Sequence, residues 1–355
     1  MADTNTTPQE RIRIFSRDGF PVAEFKATVE RSWIIGDEAR GLFVLPSRKT
    51  DMVNERVLQY GNWLLVESTA LPPWVGVIDI PRRWSARDVT IHAYTPERVF
   101  KWRRGPVEAI LNGSAGAIFE QLLAYVNQAQ GTIIRAGNLW KNGAQTQLTV
   151  NPSKLSEDLK RLQKRGGEEY QWRPSIDANG RLVVYADWLS RVGVDTSALL
   201  HEGKGGGNLE TISNIFVEDG PIVNDVLAYG DGETWSSKPM QTVTDNASIG
   251  NYGLRQEARG YSGVIDLQTL ANNASTHLAQ YKSPLRTFRL NALNVGDTFR
   301  YMQVGNRMRL RLESVGFYGS GGQGLDTAIR IIGMAYDPGE KNQVNLVVEE
   351  VILNG

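Results

Sequence analysis

Apolar residues in this chain recur mostly at every second position, in short runs broken by glycine, proline, asparagine and aspartate, the pattern of half-buried β-strands. The first run, Arg11-Ile12-Arg13-Ile14, meets Asp18-Gly19 and then Val22 to Phe25, which predicts a β-hairpin over residues 11–25. Further strands are predicted at 28–35, 41–45, 63–67, 75–80 and 88–94. Short strands at this spacing imply a sandwich or barrel.

The period changes near residue 105. Ser114 is placed to cap a helix with Ile118, Leu122 and Tyr125 on one stripe and Phe119, Leu123 and Val126 beside it. A second helix is predicted to open at Asn151-Pro152, to carry Leu155, Leu159 and Leu162, and to stop at Gly166-Gly167. Asn179-Gly180, flanked by Ile176 and Leu182, predicts a hairpin, so this region reads as an α+β insert. Strands return at 209–217 and 222–229, separated by Glu218 to Pro221. Asp266 is a cap for a third helix with Leu267, Leu270, Ala271, Ala274, Leu278 and Tyr281 on one face and Pro284 beyond its end. Alternation resumes at Met308, Leu310 and Leu312, at Ile329 and Ile331, and at Val344, Leu346 and Val348. No fixed-period repeat is present, which argues against a solenoid or propeller.

A length of 355 residues exceeds the span of one core, which stops growing near ~250–300 residues, so two to four domains are expected. Lys plus Arg and Asp plus Glu balance at 39 each, so no global field draws the chain to nucleic acid or to an anionic membrane. No apolar run approaches the ~18 residues that cross a bilayer, and residues 1–11 are polar, so no stable membrane insertion is expected. Cysteine is absent, which removes disulfides, thiolate nucleophiles and Cys-ligated metals. The Asn-x-Ser/Thr triplets at Asn5, Asn112, Asn246 and Asn273 are read as chance, since no secretory signal accompanies them.

Candidate chemistry is sparse. Gly319-Ser320-Gly321-Gly322-Gln323-Gly324 satisfies a dinucleotide fingerprint, but Leu325 to Ala335 alternates like a strand where the fingerprint needs a helix. It reads as a hairpin tip. Lys204 to Asn208 resembles a phosphate loop in composition only, because its lysine precedes the glycines. His92, His201 and His277 lack partners at metal-ligand spacing, and no Gly-x-Ser-x-Gly elbow positions a nucleophile. Glu168-Glu169 and Glu349-Glu350 are neighbours that point apart on a strand. No catalytic, cofactor-binding or metal site is therefore assigned. A basic stretch, Arg82, Arg83, Arg87, Arg98, Lys101, Arg103 and Arg104, is interleaved with Trp84, Tyr94, Phe100 and Trp102. It reads as a polar strand face or a subunit contact, with a single-strand nucleic-acid groove as the alternative.

Three groups of residues carry a family resemblance. The first is Gly41 to Pro46, Tyr60 to Val66 and Pro73-Trp74-Val75-Gly76-Val77-Ile78; the second is Tyr170-Gln171-Trp172, Asn179 to Leu182, Gly193-Val194-Asp195 and Glu202 to Asn208. The third is Ser248 to Arg255 before a helix, Ser283-Pro284 after it, and Arg330 to Gly333 before the final strand. In this order they resemble phage tail-tip hub proteins, in particular the Gp37-like tail proteins of long-tailed phages, within the wider family of baseplate hubs.

The resemblance implies an α+β, β-rich chain with two tube-type β-barrel domains and two accessory α+β portions. The first barrel is expected at 8–104 and an accessory domain at 105–207. The second barrel is expected at 208–245 with 285–355, around a helix-bearing insertion at 246–284. It also implies a homotrimer at the tail tip of a virion, joining the tail tube or distal tail protein to a spike, central fibre or other baseplate proteins. The ring would gate the lumen for DNA passage and would use no cofactor. The alternatives are a tail-tip cell-wall hydrolase and a receptor- or carbohydrate-binding module, the latter suggested by nine tryptophans.

Overall fold

The computed structural model describes residues 10–25, 29–46, 56–85, 87–128, 131–202, 207–210, 216–219, 221–261, 263–313, 324–339 and 343–351. Residues 319–323 of the glycine-rich stretch, Lys204 to Gly206 and Asn5 lie outside them.

Seven antiparallel strands form the first part: β1 (Glu10–Phe15), β2 (Pro21–Phe25), β3 (Val29–Ile34), β4 (Arg40–Pro46), β5 (Trp63–Ser68), β6 (Trp74–Trp84) and β7 (Asp88–Tyr94). Their spatial order is β3-β4-β7-β6-β5-β1-β2. Alternation sorts the side chains between two cores. Ile12, Ile14, Leu64, Val66, Phe43 and Ile91 share one core. Phe15, Trp63, Leu65, Val75 and Val77 point the other way and join a second. Strands β5 and β6 are thus buried on both faces, which is why their sequences read as continuous apolar runs. Trp74 sets a further constraint: a Cβ on Gly41 or Gly76 would lie 2.7 or 2.3 Å from its ring, so only glycine fits there.

The second core belongs to α1 (Glu97–Lys101), β8 (Ile110–Ser114), α2 (Ala115–Gln128), β9 (Ile134–Leu139), β10 (Gln145–Thr149), α3 (Leu155–Gly166), β11 (Glu169–Ile176) and β12 (Leu182–Leu189). Helix α2 buries Ile118, Phe119, Leu122 and Val126 against these strands, as its stripe predicts. The Asn179-Gly180 hairpin also forms, joining β11 to β12. Helix α3 begins at Leu155, later than expected. Asn151 closes a turn by accepting from the Ser153 N–H at 2.9 Å, and its own N–H donates to Asp158, so it is spent before the helix starts.

The remainder comprises β13 (Asp195–His201), β14 (Phe216–Asp219), β15 (Asp225–Tyr229), β16 (Met240–Thr244), α4 (Asn246–Tyr252), β17 (Gln256–Gly260), α5 (Leu267–Tyr281), β18 (Leu285–Leu293), β19 (Arg307–Leu312), β20 (Leu325–Tyr336) and β21 (Gln343–Glu350). Asp266 caps α5 by accepting from the Thr269 N–H at 2.6 Å. Strands β14-β18-β21-β20 run in that order, with β19 on β20 and β13 on β19. Residues 225–229 pair with 240–244 on one side and with β17 on the other, beneath α5, in a separate three-stranded sheet, so their ladder partners are not β18 to β21.

Strand β20 unites the two ends of the chain. Its first half pairs with β19, and its last four residues pair with β3 from Gly333↔Ile34 to Tyr336↔Arg31. The result is one 13-stranded sheet. The seam holds a buried ion pair, Arg31 to Glu10 at 2.5 Å, with the guanidinium between the rings of Trp33 and Tyr336. Arg330 clamps the other side, donating to both carboxylate oxygens of Glu169 and to the Val192 carbonyl. Among the described residues no helix is long and apolar enough to cross a membrane.

Candidate interaction surface

The basic stretch is divided by the fold. Beyond Asp79 the register of β6 against β7 shifts, and residues 82–84 pair with 89–91 as an arm leaving the core. On this arm Ile80 is 62% and Trp84 57% exposed. Arg82 donates to the Leu58 carbonyl at 3.1 Å, and its guanidinium lies 4.6 Å from the Tyr60 ring and 5.8 Å from the Trp84 ring. Arg17, from the β1–β2 turn, donates twice to the Tyr60 carbonyl. Among the described residues no carboxylate pairs with Arg17, Arg56, Arg82, Arg83 or Arg87. His92, on β7, has its pKa lowered by burial first and then by the charges of Arg40 and Arg83.

The second half meets a different fate. Arg98 stacks 3.6 Å from the Tyr94 ring and pairs with Asp79 at 3.1 Å, while Lys101 pairs with Glu38 at 3.0 Å. Phe100 is fully buried against Trp172, so it has no face to offer a base. Arg103 donates to the Val126 carbonyl and, with Trp102, Tyr60 and Arg17, lines an open groove of about 360 Å³. The seven cations therefore do not follow one channel. Instead, parts of the stretch gather around Tyr60 and Arg17, two residues the sequence reading did not connect with it. Nothing local in the sequence joins them to the basic stretch, since they arrive from the β1–β2 turn and from the turn before β5.

A cavity of about 310 Å³ lies where the three parts of the chain meet, lined by Trp33, Trp74, Glu97, Tyr170, Trp172 and Val304 among others. Glu97 is buried and its pKa is pushed up to about 7 by desolvation, with Thr95 and Trp172 pulling the other way. The Tyr170 hydroxyl and the Trp172 indole N–H approach it without closing a well-aligned hydrogen bond. Burial also raises the Tyr170 hydroxyl well above its usual range.

The remaining candidates are dispersed. His92, His201 and His277 lie on β7, β13 and α5; His277 is 3.0 Å from Glu257 and meets the Tyr281 ring at a tilt. Among the described residues no group of three His, Asp or Glu side chains is placed to hold a metal. Glu168 accepts from the Trp188 indole, whereas Glu169 turns to Arg330. Glu349 and Glu350 turn to Arg330 and Arg286 respectively.

No family model matches the chain, and no curated protein matches it by sequence. Solved structures do match. A tail protein from Neisseria meningitidis MC58 superposes with a TM-score of 0.61 at 15% identity, over 97% of each chain. Prophage tail protein gp18 from Listeria monocytogenes EGD-e gives 0.59 at 13% identity, over 96% of this chain and 94% of that one. The 43 kDa tail protein of prophage MuSo2 from Shewanella oneidensis gives 0.56 at 12% identity, over 96% and 98%. Over nearly its whole length, this chain has the β-rich fold of phage tail proteins.

Proposed function

We propose that this chain is a structural, non-catalytic component of a phage-type tail. In this reading it is the tip hub, a homotrimer that joins the tube or distal tail protein to a spike, central fibre or other baseplate protein and gates the lumen for DNA. The observation that carries the reading is the fold shared with three tail proteins across 96–97% of this chain at only 12–15% identity. Such divergence with the architecture retained is what a role in shape and contact permits.

The continuous sheet supports the same reading. Two β-rich ends share one continuous sheet through β20 and β3, and a hydrogen-bonded ladder between them is what a load-bearing joint needs. Ladder pairing favours drawing the second barrel-type portion from 195–219 and 285–351, with 221–284 as the insertion. Three copies would then present six sheet-built portions around a closed ring, leaving no open interface.

Gold-labelled antibody against this chain, applied to intact tails, tests the placement. Label confined to the tip is expected; label along the tube or on lateral fibres would contradict it. A peptidoglycan zymogram separates the hydrolase alternative, since a clearing band from the purified protein would replace the structural reading.

A further inference from the structure

The exposed arm of β6 carries an unusual residue set. Tyr60, Trp84 and Trp102 are 38%, 57% and 41% exposed, and Arg17 and Arg82 beside them have no carboxylate partner among the described residues. Trp, Tyr and Arg are the side chains that dominate binding energy at protein interfaces, because they bury large area while a guanidinium supplies direction. An uncompensated positive charge next to exposed rings calls for a partner that is both acidic and apolar.

The same chain holds such a surface. The loop between β15 and β16 carries Asp231 and Glu233, followed by Trp235, which is 61% exposed. This loop is fixed against the turn before α5: the Asp231 N–H donates to the Val264 carbonyl at 3.2 Å, and its carboxylate accepts from the Gly263 N–H at 2.5 Å. That turn exposes Ile265 at 74% and Leu267 at 52%. Neither Asp231 nor Glu233 makes an ion pair among the described residues. Two carboxylates thus share this part of the fold with three exposed apolar side chains, and Lys238 lies over the Trp235 ring at 4.5 Å without pairing with either acid among the described residues.

We propose that these two surfaces are partners between copies: the Tyr60–Arg82–Trp84 surface of one chain docks on the Asp231–Glu233–Ile265 surface of the next. Both are open to solvent in the single chain, so they do not satisfy each other within it. The balanced formal charge fits this arrangement, because a chain that carries both halves of a contact needs no net excess. The two surfaces differ, so the contact is head-to-tail, and such contacts close into a ring when the rotation allows. The inference rests on the ring reading above and adds its contact surfaces.

Two variants of the full chain test it. Arg82→Glu with Arg87→Glu removes the first surface, and Glu233→Lys with Ile265→Lys removes the second. Sedimentation velocity should show self-association of the wild-type chain and a loss of at least about tenfold in each variant. Because the two charge reversals complement each other, an equimolar mixture of the variants should regain association that neither shows alone. Trp84→Ser serves as a second disruption of the first surface, and circular dichroism matched to wild type establishes folding in every case. Wild-type rings that ignore both variants would overturn the pairing and leave the hub reading standing. A wild-type chain that never self-associates, even with tail tubes present, would overturn the pairing and the ring together.

Discussion

Two arginines in this chain sit between pairs of aromatic rings, and the fold treats them in opposite ways. Arg31 lies 5.2 Å from the Trp33 ring and 5.0 Å from the Tyr336 ring, is 1% exposed, and is neutralised by Glu10 at 2.5 Å. Arg82 has similar neighbours in Tyr60 and Trp84, yet those rings are open to water and no acid answers it among the described residues. Ring faces attract a guanidinium in both places. What separates the sites is desolvation: a buried cation requires its counter-charge, whereas a hydrated one does not. Burial pulls the Arg31 pKa down and Glu10 pushes it back up. Arg31 therefore marks a joint already closed, between the two ends of one chain, while Arg82 marks a surface on which a joint has yet to form.

The largest expected effect comes from removing the counter-charge. Glu10→Gln keeps the side-chain shape but strands a buried guanidinium, so urea unfolding should show a loss of about 3–5 kcal/mol. Replacing both partners with leucine should recover most of that loss. If the single variant costs no more than the double, the seam does not depend on the ion pair.

Glu97 extends the comparison to a buried acid with no cation against it. Its pKa rises from the usual 4.5 to about 7 on folding, so the folded chain holds this proton more tightly than the unfolded chain does. The group costs nothing below the unfolded value, then destabilises the fold progressively as pH climbs through that interval, by about 3 kcal/mol in all. Glu97→Gln, which cannot ionise, should track wild type in acid and become the more stable protein by about that amount above neutrality. Stability curves that run parallel across the interval would show that Glu97 does not titrate this way.

The smallest effect on stability is expected at Arg82, which is only half-buried. Arg82→Ala should shift the unfolding free energy by only about 1 kcal/mol, the worth of its hydrogen bond to the Leu58 carbonyl. Its consequence should appear in association instead. A loss of fold stability comparable to that of Glu10→Gln would erase the contrast between the two sites.

Much of the sheet was legible in the order of residues. The hairpin at 11–25, the strands that became β3 to β7, helix α2 and the Asp266-capped α5 follow from alternation, turn residues and a capping side chain, all of which are local. Strands β9 and β17 were not legible, because Ile134–Leu139 and Gln256–Gly260 lack an apolar alternation and are held by ladders to β12 and β15. The fusion of β20 with β3 was equally hidden, since about three hundred residues separate the partners in sequence and no local pattern specifies the meeting. For the candidate surface, the cations and tryptophans of 82–104 stood out by composition. Their sorting into a neutralised half and an open half did not, because Glu38 and Asp79 reach the second half only through the fold.

We propose that this chain works by shape and contact as part of a closed ring. Electron microscopy of the purified protein, alone and bound to tail tubes, tests it most directly. The account predicts three-fold particles with a central opening seated on the tube end. Particles that remain single chains under both conditions would contradict it.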